Sequence, residues 1–164
     1  EACIVDPFYV PVYLRVSIWL NGEHPRQEGA PKPGAWLTKI LKPDPADLEP
    51  VRQKKIVTYA QTIGLFPVHP QLDPEDLDWP TLKLGLFQMA RTHKSSLDWP
   101  SRCLAAAYAF HDAEAAMEAL ELIQGNYSPE VFRDPTAFQA IGRWAQKASK
   151  KKSKQKKCKL KTKP

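Results

Sequence analysis

The chain has 164 residues, of which 43% are hydrophobic and 26% charged, a balance typical of one globular domain and not of a disordered chain. No apolar run approaches the roughly 18 residues that a membrane-spanning helix needs, so the sequence predicts a protein without a membrane span. The net charge is +6, but residues 147–164 alone hold ten lysines and no acid, so the rest of the chain carries −4. The basicity therefore belongs to one terminal segment and not to a basic face of the body.

The N-terminal segment predicts an extended arm. Residues 2–20 are rich in β-branched and aromatic side chains, and Pro7 and Pro11 interrupt them. Because proline cannot donate to a strand ladder, we expect an edge strand or an arm lying in an apolar groove that a neighbouring protein supplies. Residues 21–35 are rich in proline and glycine, which predicts a loop and a boundary near residue 35.

From residue 36 the apolar spacing becomes helical. Asp44 followed by Pro45 is a helix-start arrangement, and Gly64 is a helix stop. Pro50 leaves a second start open, in which residues 45–49 form a separate turn. The expected apolar stripe of this helix consists of Leu48, Val51, Ile56, Tyr59 and Ile63.

The tetrapeptide Leu-Asp-Trp-Pro occurs twice, at 77–80 and 97–100. Aspartate before Trp-Pro predicts a helix start, because the carboxylate accepts from free amides of the first turn and proline has no amide hydrogen to leave unpaired. The first helix is expected over 79–94, and the 20-residue spacing predicts antiparallel neighbours. Residues 101–124 lack proline and glycine, so they form either one long helix or a hairpin that breaks at His111-Asp112. A last helix is expected over 136–147.

Residues 103–132 resemble one unit of the pentatricopeptide and tetratricopeptide helical-hairpin repeats. The matching elements are Ala107-Tyr108, Glu114-Ala115, the run Ala-Leu-Glu-Leu at 119–122, and Pro129. The glycine that such repeats carry at the turn between helices is absent, and no second copy at a 34-residue period is visible. The resemblance implies antiparallel helical hairpins, and the expected fold class is mainly α, with an extended N-terminal arm and a disordered basic tail.

No pattern in the sequence predicts catalysis, a metal site or a cofactor. The four histidines lack metal-ligand spacing, and the three cysteines form no CxxC pair, which also argues against a disulfide framework. The four acids within residues 72–78 leave binding of a cation or a basic partner open, but three of them precede a helix, so capping and contact with solvent are the favoured interpretation. We therefore expect a protein that is not an enzyme, with no catalytic residues and no metal.

The C-terminal segment carries the functional prediction. It has too few apolar residues to fold alone and repels itself, so we expect disorder unless a polyanion surrounds it. Lysine is a point charge without arginine's bidentate fork, so the segment should bind phosphates without reading sequence. The predicted nucleic-acid-binding residues are Lys147, Lys150, Lys151, Lys152, Lys154, Lys156, Lys157, Lys159, Lys161 and Lys163.

These features divide the chain into an arm and loop over 1–35, a helical domain over 36–146 and a tail over 147–164. The combination resembles ribosomal proteins generally, and the helical-repeat resemblance favours an organelle. We expect a non-enzymatic, RNA-binding component of a ribonucleoprotein assembly, such as a mitochondrial ribosomal protein. It would contact rRNA phosphates through the tail and neighbouring proteins through the arm and hairpins. The alternative is a helical-repeat adaptor between proteins whose tail is a nuclear-import or targeting signal, with a nuclear or nucleolar location.

Overall fold

A computed structural model of the protein describes residues 33–64 and 74–161. Within these ranges it is mainly helical, as predicted, and it contains no strand. The expected arm over residues 2–20, along with His24 and His69, lies outside the described residues. The α-helices are α1 (Pro33–Leu41), α2 (Glu49–Gly64), α3 (Trp79–Thr92), α4 (Asp98–Ala109), α5 (Ala113–Ile123) and α6 (Pro135–Lys161), with a 3₁₀ turn at Pro74–Asp76.

The first helix begins inside the segment that the sequence predicts to be a loop. Its first residue is Pro33, whose fixed φ and missing amide hydrogen suit the first turn of a helix. Leu37 and Leu41 are buried, and the Thr38 hydroxyl lies 2.7 Å from the Tyr59 hydroxyl of α2. Proline and glycine at 33–34 therefore mark a helix start and not a continuation of the loop.

Helix α2 begins at Glu49, one residue before the alternative start predicted at Pro50. Residues 45–47 form a separate turn. Three residues of the predicted stripe, Ile56, Tyr59 and Ile63, are buried. Leu48 is 76% exposed and Val51 is also exposed, so their assignment to the core was wrong. All of residues 48–52 are exposed, so no helix within the described residues covers the first turn of α2.

The two Leu-Asp-Trp-Pro copies both lie at helix starts, but they are not equivalent. Oδ2 of Asp78 accepts from the Thr81 amide at 3.3 Å and caps α3, as predicted. Asp98 lies one position further in, within the first turn of α4, and its side chain makes no cap bond. The predicted cap at Asp98 is therefore wrong, because the helix begins one residue earlier relative to the motif.

Residues 101–124 form two helices that pack against each other. Of the two predicted alternatives, the structure therefore shows the hairpin and not one long helix. The break lies at His111-Asp112, where His111 takes a left-handed φ of 54° and Asp112 caps α5 by accepting from the Ala115 amide at 3.1 Å. Each helix packs mainly against its neighbours along the chain, α2 with α3, α3 with α4, α4 with α5, and α5 with α6.

The last helix runs to Lys161 instead of ending near Lys147, so the expectation of a disordered tail is not met over these residues. Three physical factors favour the longer helix. Lysine is a good helix former, cations stabilise a helix C-terminus, and the first turns of α6 are docked on the body, which removes the cost of nucleation.

Candidate nucleic-acid interface

Helix α6 is attached to the body along one side. Ala145 is fully buried, and the Phe138 ring stacks on Tyr127 with the ring centroids 4.5 Å apart. Trp144 and Ile141 are half-buried against the core, as their predicted helical spacing requires. This docking fixes which side of α6 faces solvent.

The opposite side of α6 carries a row of cations. Arg143, Lys147, Lys150 and Lys151 are all exposed, and their spacing of four, three and one places them on one side at 3.6 residues per turn. The same register continues through the positions of Lys154, Lys157 and Lys161. We call these seven positions the basic stripe. They span an arc of about 120° and a length of about 27 Å.

The structure thus divides the predicted nucleic-acid-binding residues into two groups. Helical register places Lys152, Lys156 and Lys159 on the side that continues the docked face, away from the basic stripe. Lys163 lies outside the described residues. The lysines were predicted to lie in a disordered tail that begins at Lys147, so Arg143 was not among the predicted binding residues. Arg143 and Lys147 nevertheless have the i,i+4 spacing of neighbours on a helix.

The basic stripe has no compensating charge on its own helix. Helix α6 contains no aspartate or glutamate between Pro135 and Lys161. Like charges at i,i+4 destabilise a helix by roughly 0.2–0.5 kcal/mol per pair. An anion along the stripe would relieve this repulsion, so binding a polyanion and stabilising the helix would favour each other.

Three aromatic rings meet at one edge of the stripe. The Tyr108 ring at the end of α4 makes an edge-to-face contact with Trp144, with 5.1 Å between centroids. The His111 ring, from the turn between α4 and α5, lies 6.4 Å from Trp144. Tyr108 is 43% exposed. The sequence showed no aromatic residue between the lysines, because Tyr108 and His111 lie more than 30 residues earlier in the chain.

Within residues 33–64 and 74–151, the other candidate groups do not converge on a reaction centre. Burial raises the pKa of the Cys103 thiol to about 12, so this cysteine is neutral and inaccessible. Asp78, from the acidic segment, caps α3 and pairs with Lys42 at 2.8 Å. His93 is the C-cap of α3. Among the residues that the structure describes, no cluster of histidine, cysteine and acidic side chains could hold a metal ion.

No protein-family model matches the chain, and neither a curated protein nor a solved structure matches it. Within residues 33–64 and 74–161, no helix has the length and apolar character to cross a membrane.

Proposed function

We propose that this protein is a non-enzymatic, RNA-binding component of a ribonucleoprotein assembly and that it contacts RNA phosphates along the basic stripe. The observation that carries the proposal is the placement of Arg143, Lys147, Lys150 and Lys151, all exposed, on the undocked side of α6, in a helical register that continues through the positions of Lys154, Lys157 and Lys161. Such a row tracks a phosphate backbone and supplies sequence-independent affinity.

The charge distribution directs RNA to this helix. Residues 147–164 carry +10 and the rest of the chain −4, so the body repels a polyanion while α6 attracts it. Lysine ammonium groups neutralise phosphates without the planar geometry that reads base edges. The expected role is therefore structural, holding folded RNA in place without selecting a sequence.

The assembly that fits these features best is a ribosome, and the proposed location is mitochondrial or in another organelle. The sequential packing of α2 to α5 supports the interpretation of these helices as repeat-like antiparallel hairpins. Such hairpins offer flat helical surfaces to neighbouring proteins, while the lysine-rich helix is left for rRNA.

Removal of residues 148–164 tests the proposal. The truncated chain keeps the docked part of α6, so its circular dichroism and melting should report a folded body. Its affinity for a structured RNA should fall sharply at low salt, and the dependence of log affinity on log salt concentration should flatten. An unchanged salt slope would contradict the proposal. In cell extract, the tagged full chain should sediment with ribosomal particles at low salt and leave them after ribonuclease treatment.

A second candidate function is a protein adaptor with a basic targeting tail. It is favoured by an exposed groove of about 370 Å³ between the start of α2 and α3, lined by Pro45, Arg52, Ile56 and Leu84 among others. Leu84 is 51% exposed there. If the adaptor is the main function, sedimentation with large particles should survive ribonuclease but be lost in Leu84→Asp.

A further inference from the structure

The ring cluster beside the basic stripe has the composition of a site for an unpaired base. Tyr108, His111 and Trp144 come from α4, the following turn and α6, and they gather where the protein surface is open. An exposed tyrosine ring on a soluble body contributes little to the core, but it presents a surface on which a planar base can stack.

The turn that follows α4 fixes the place of the His111 ring. Its φ of 54° is the left-handed conformation that ends many helices, and the amides of His111 and Asp112 close the turn by donating to the carbonyls of Tyr108 and Ala107 at 3.0 and 2.9 Å. The His111 side chain is exposed, and the turn holds its ring next to Trp144.

Charge complementarity identifies the occupant. Trp144 lies at the boundary between the docked side of α6 and the basic stripe, and Lys147 follows it by three residues and Lys151 by seven. Both lysines are exposed and share this flank of the helix. Aromatic rings flanked by lysines, with the cations following the backbone and the rings receiving bases, are the arrangement that binds single-stranded nucleic acid.

We propose that Tyr108, His111 and Trp144 form a base-stacking site that makes the protein prefer single-stranded RNA to duplex RNA. This inference rests on the proposed function, because the basic stripe must first hold the phosphates. A duplex offers the same phosphates but keeps its base faces stacked inside, so it can use the stripe and not the rings.

The experiment uses the full chain and three labelled probes with equal numbers of phosphates: oligo(U), an oligonucleotide of abasic sites, and an RNA duplex. The wild-type protein should bind oligo(U) roughly tenfold more tightly than the abasic strand, since one stacked base contributes about that factor. Tyr108→Leu should remove this preference and leave the affinity for the duplex unchanged.

Two further variants separate recognition from packing. His111→Gly removes the ring but suits the positive φ, so it should weaken oligo(U) binding without lowering the melting temperature, and it carries the test if Tyr108→Leu does not fold. Tyr127→Leu removes a ring that also contacts α6, through Phe138 on the docked side, and should leave the preference intact.

The outcomes distinguish the two proposals. Equal binding of oligo(U) and the abasic strand by the wild-type protein would overturn the stacking site and leave the phosphate-binding stripe standing. A preference that survives in both Tyr108→Leu and His111→Gly would overturn it as well. Failure of the wild-type protein to bind any of the three probes would overturn the proposed function and the stacking site together.

Discussion

The indole Nε1 of Trp79 donates a hydrogen bond to Oδ2 of Asp112 at 3.0 Å, which joins the start of α3 to the start of α5. The same carboxylate accepts from the Ala115 amide at 3.1 Å and from Lys83 Nζ at 3.0 Å. Trp79 also stacks on Phe110, with centroids 4.6 Å apart. One side chain thus caps a helix and fixes the turn that displays His111.

Asp112 should make the fold sensitive to acid. Partial burial raises the pKa of this carboxyl, but the bonds from Ala115, Trp79 and Lys83 outweigh that effect and lower the pKa from its ordinary 3.8 to about 2. Because the folded-state pKa is depressed, the stabilisation is complete above about pH 4 and is lost as the pH falls towards 2. Because the carboxyl is only partly buried and solvent screens its charge, the contribution to stability is about 1 kcal/mol.

The measurement is the free energy of unfolding of the wild-type protein and Asp112→Asn between pH 5 and pH 2. Asparagine retains a side-chain oxygen that can cap the helix but has no charge to titrate. The wild-type protein should lose more stability over this range than the variant. Parallel curves would show that Asp112 does not carry the effect.

The two Leu-Asp-Trp-Pro copies should respond differently to the same substitution. Asp78→Ala removes a helix cap and the partner of Lys42, and should lower the free energy of unfolding by about 1 kcal/mol. Asp98→Ala removes a first-turn charge that makes no cap bond, and should cost only about 0.5 kcal/mol. Urea denaturation of both variants tests this. Equal losses would mean that Asp98 caps α4 after all.

Two helical glycines should respond to alanine with opposite signs. A Cβ at Gly85 would lie 2.6 Å from the Ile56 carbonyl oxygen and 2.5 Å from the Ala60 Cβ, so α2 and α3 would have to separate. A Cβ at Gly142 would meet Leu120 at an ordinary 3.8 Å. Alanine gains roughly 1 kcal/mol over glycine in a helix, whereas overpacking costs about 1–3 kcal/mol.

Gly85→Ala should therefore lower the melting temperature, because the backbone carbonyl cannot move aside and the clash exceeds the gain in helix propensity. Gly142→Ala should raise the melting temperature, because it receives the gain without the clash. Thermal unfolding of the two variants measures both shifts in melting temperature. A higher melting temperature for Gly85→Ala would show that α2 and α3 are not in close contact at this point.

The sequence predicted several helix starts and breaks that depend on local residues, but it missed the start at Pro33 and misplaced the cap at Asp98. Asp78 and the break at His111-Asp112 act through neighbouring amides, so their effect could be inferred from a few residues. The burial of residues 48–51 and the formation of the ring cluster depend on which helices lie next to them. Leu48 has the right spacing for a core position but is exposed. Tyr108 contacts Trp144 only because α6 packs against the hairpin of α4 and α5.

The continuation of α6 through the lysines is open to a direct test. Ser153→Pro places a residue that breaks the i to i−4 bond and costs about 3 kcal/mol in a helix interior, whereas Ser153→Ala favours the helix. Far-ultraviolet circular dichroism should show a loss of helical signal in the proline variant and none in the alanine variant. Identical spectra would mean that residues beyond the docked turns are not helical in solution.

The salt dependence of RNA binding measures whether RNA phosphates lie along the basic stripe. Two variants remove four cations each, and so have the same net charge. One neutralises the stripe with glutamine at Arg143, Lys147, Lys150 and Lys151, and the other places glutamine at the exposed Lys39, Arg52, Lys94 and Arg133.

We expect the stripe variant to lose roughly 3 from the magnitude of the slope of log affinity for single-stranded RNA against log salt concentration, about 0.7 for each lost phosphate contact. The matched variant should keep the slope of the wild-type protein. Equal changes in the two variants would mean that RNA responds to net charge alone, and that the placement of cations along α6 has no role in binding.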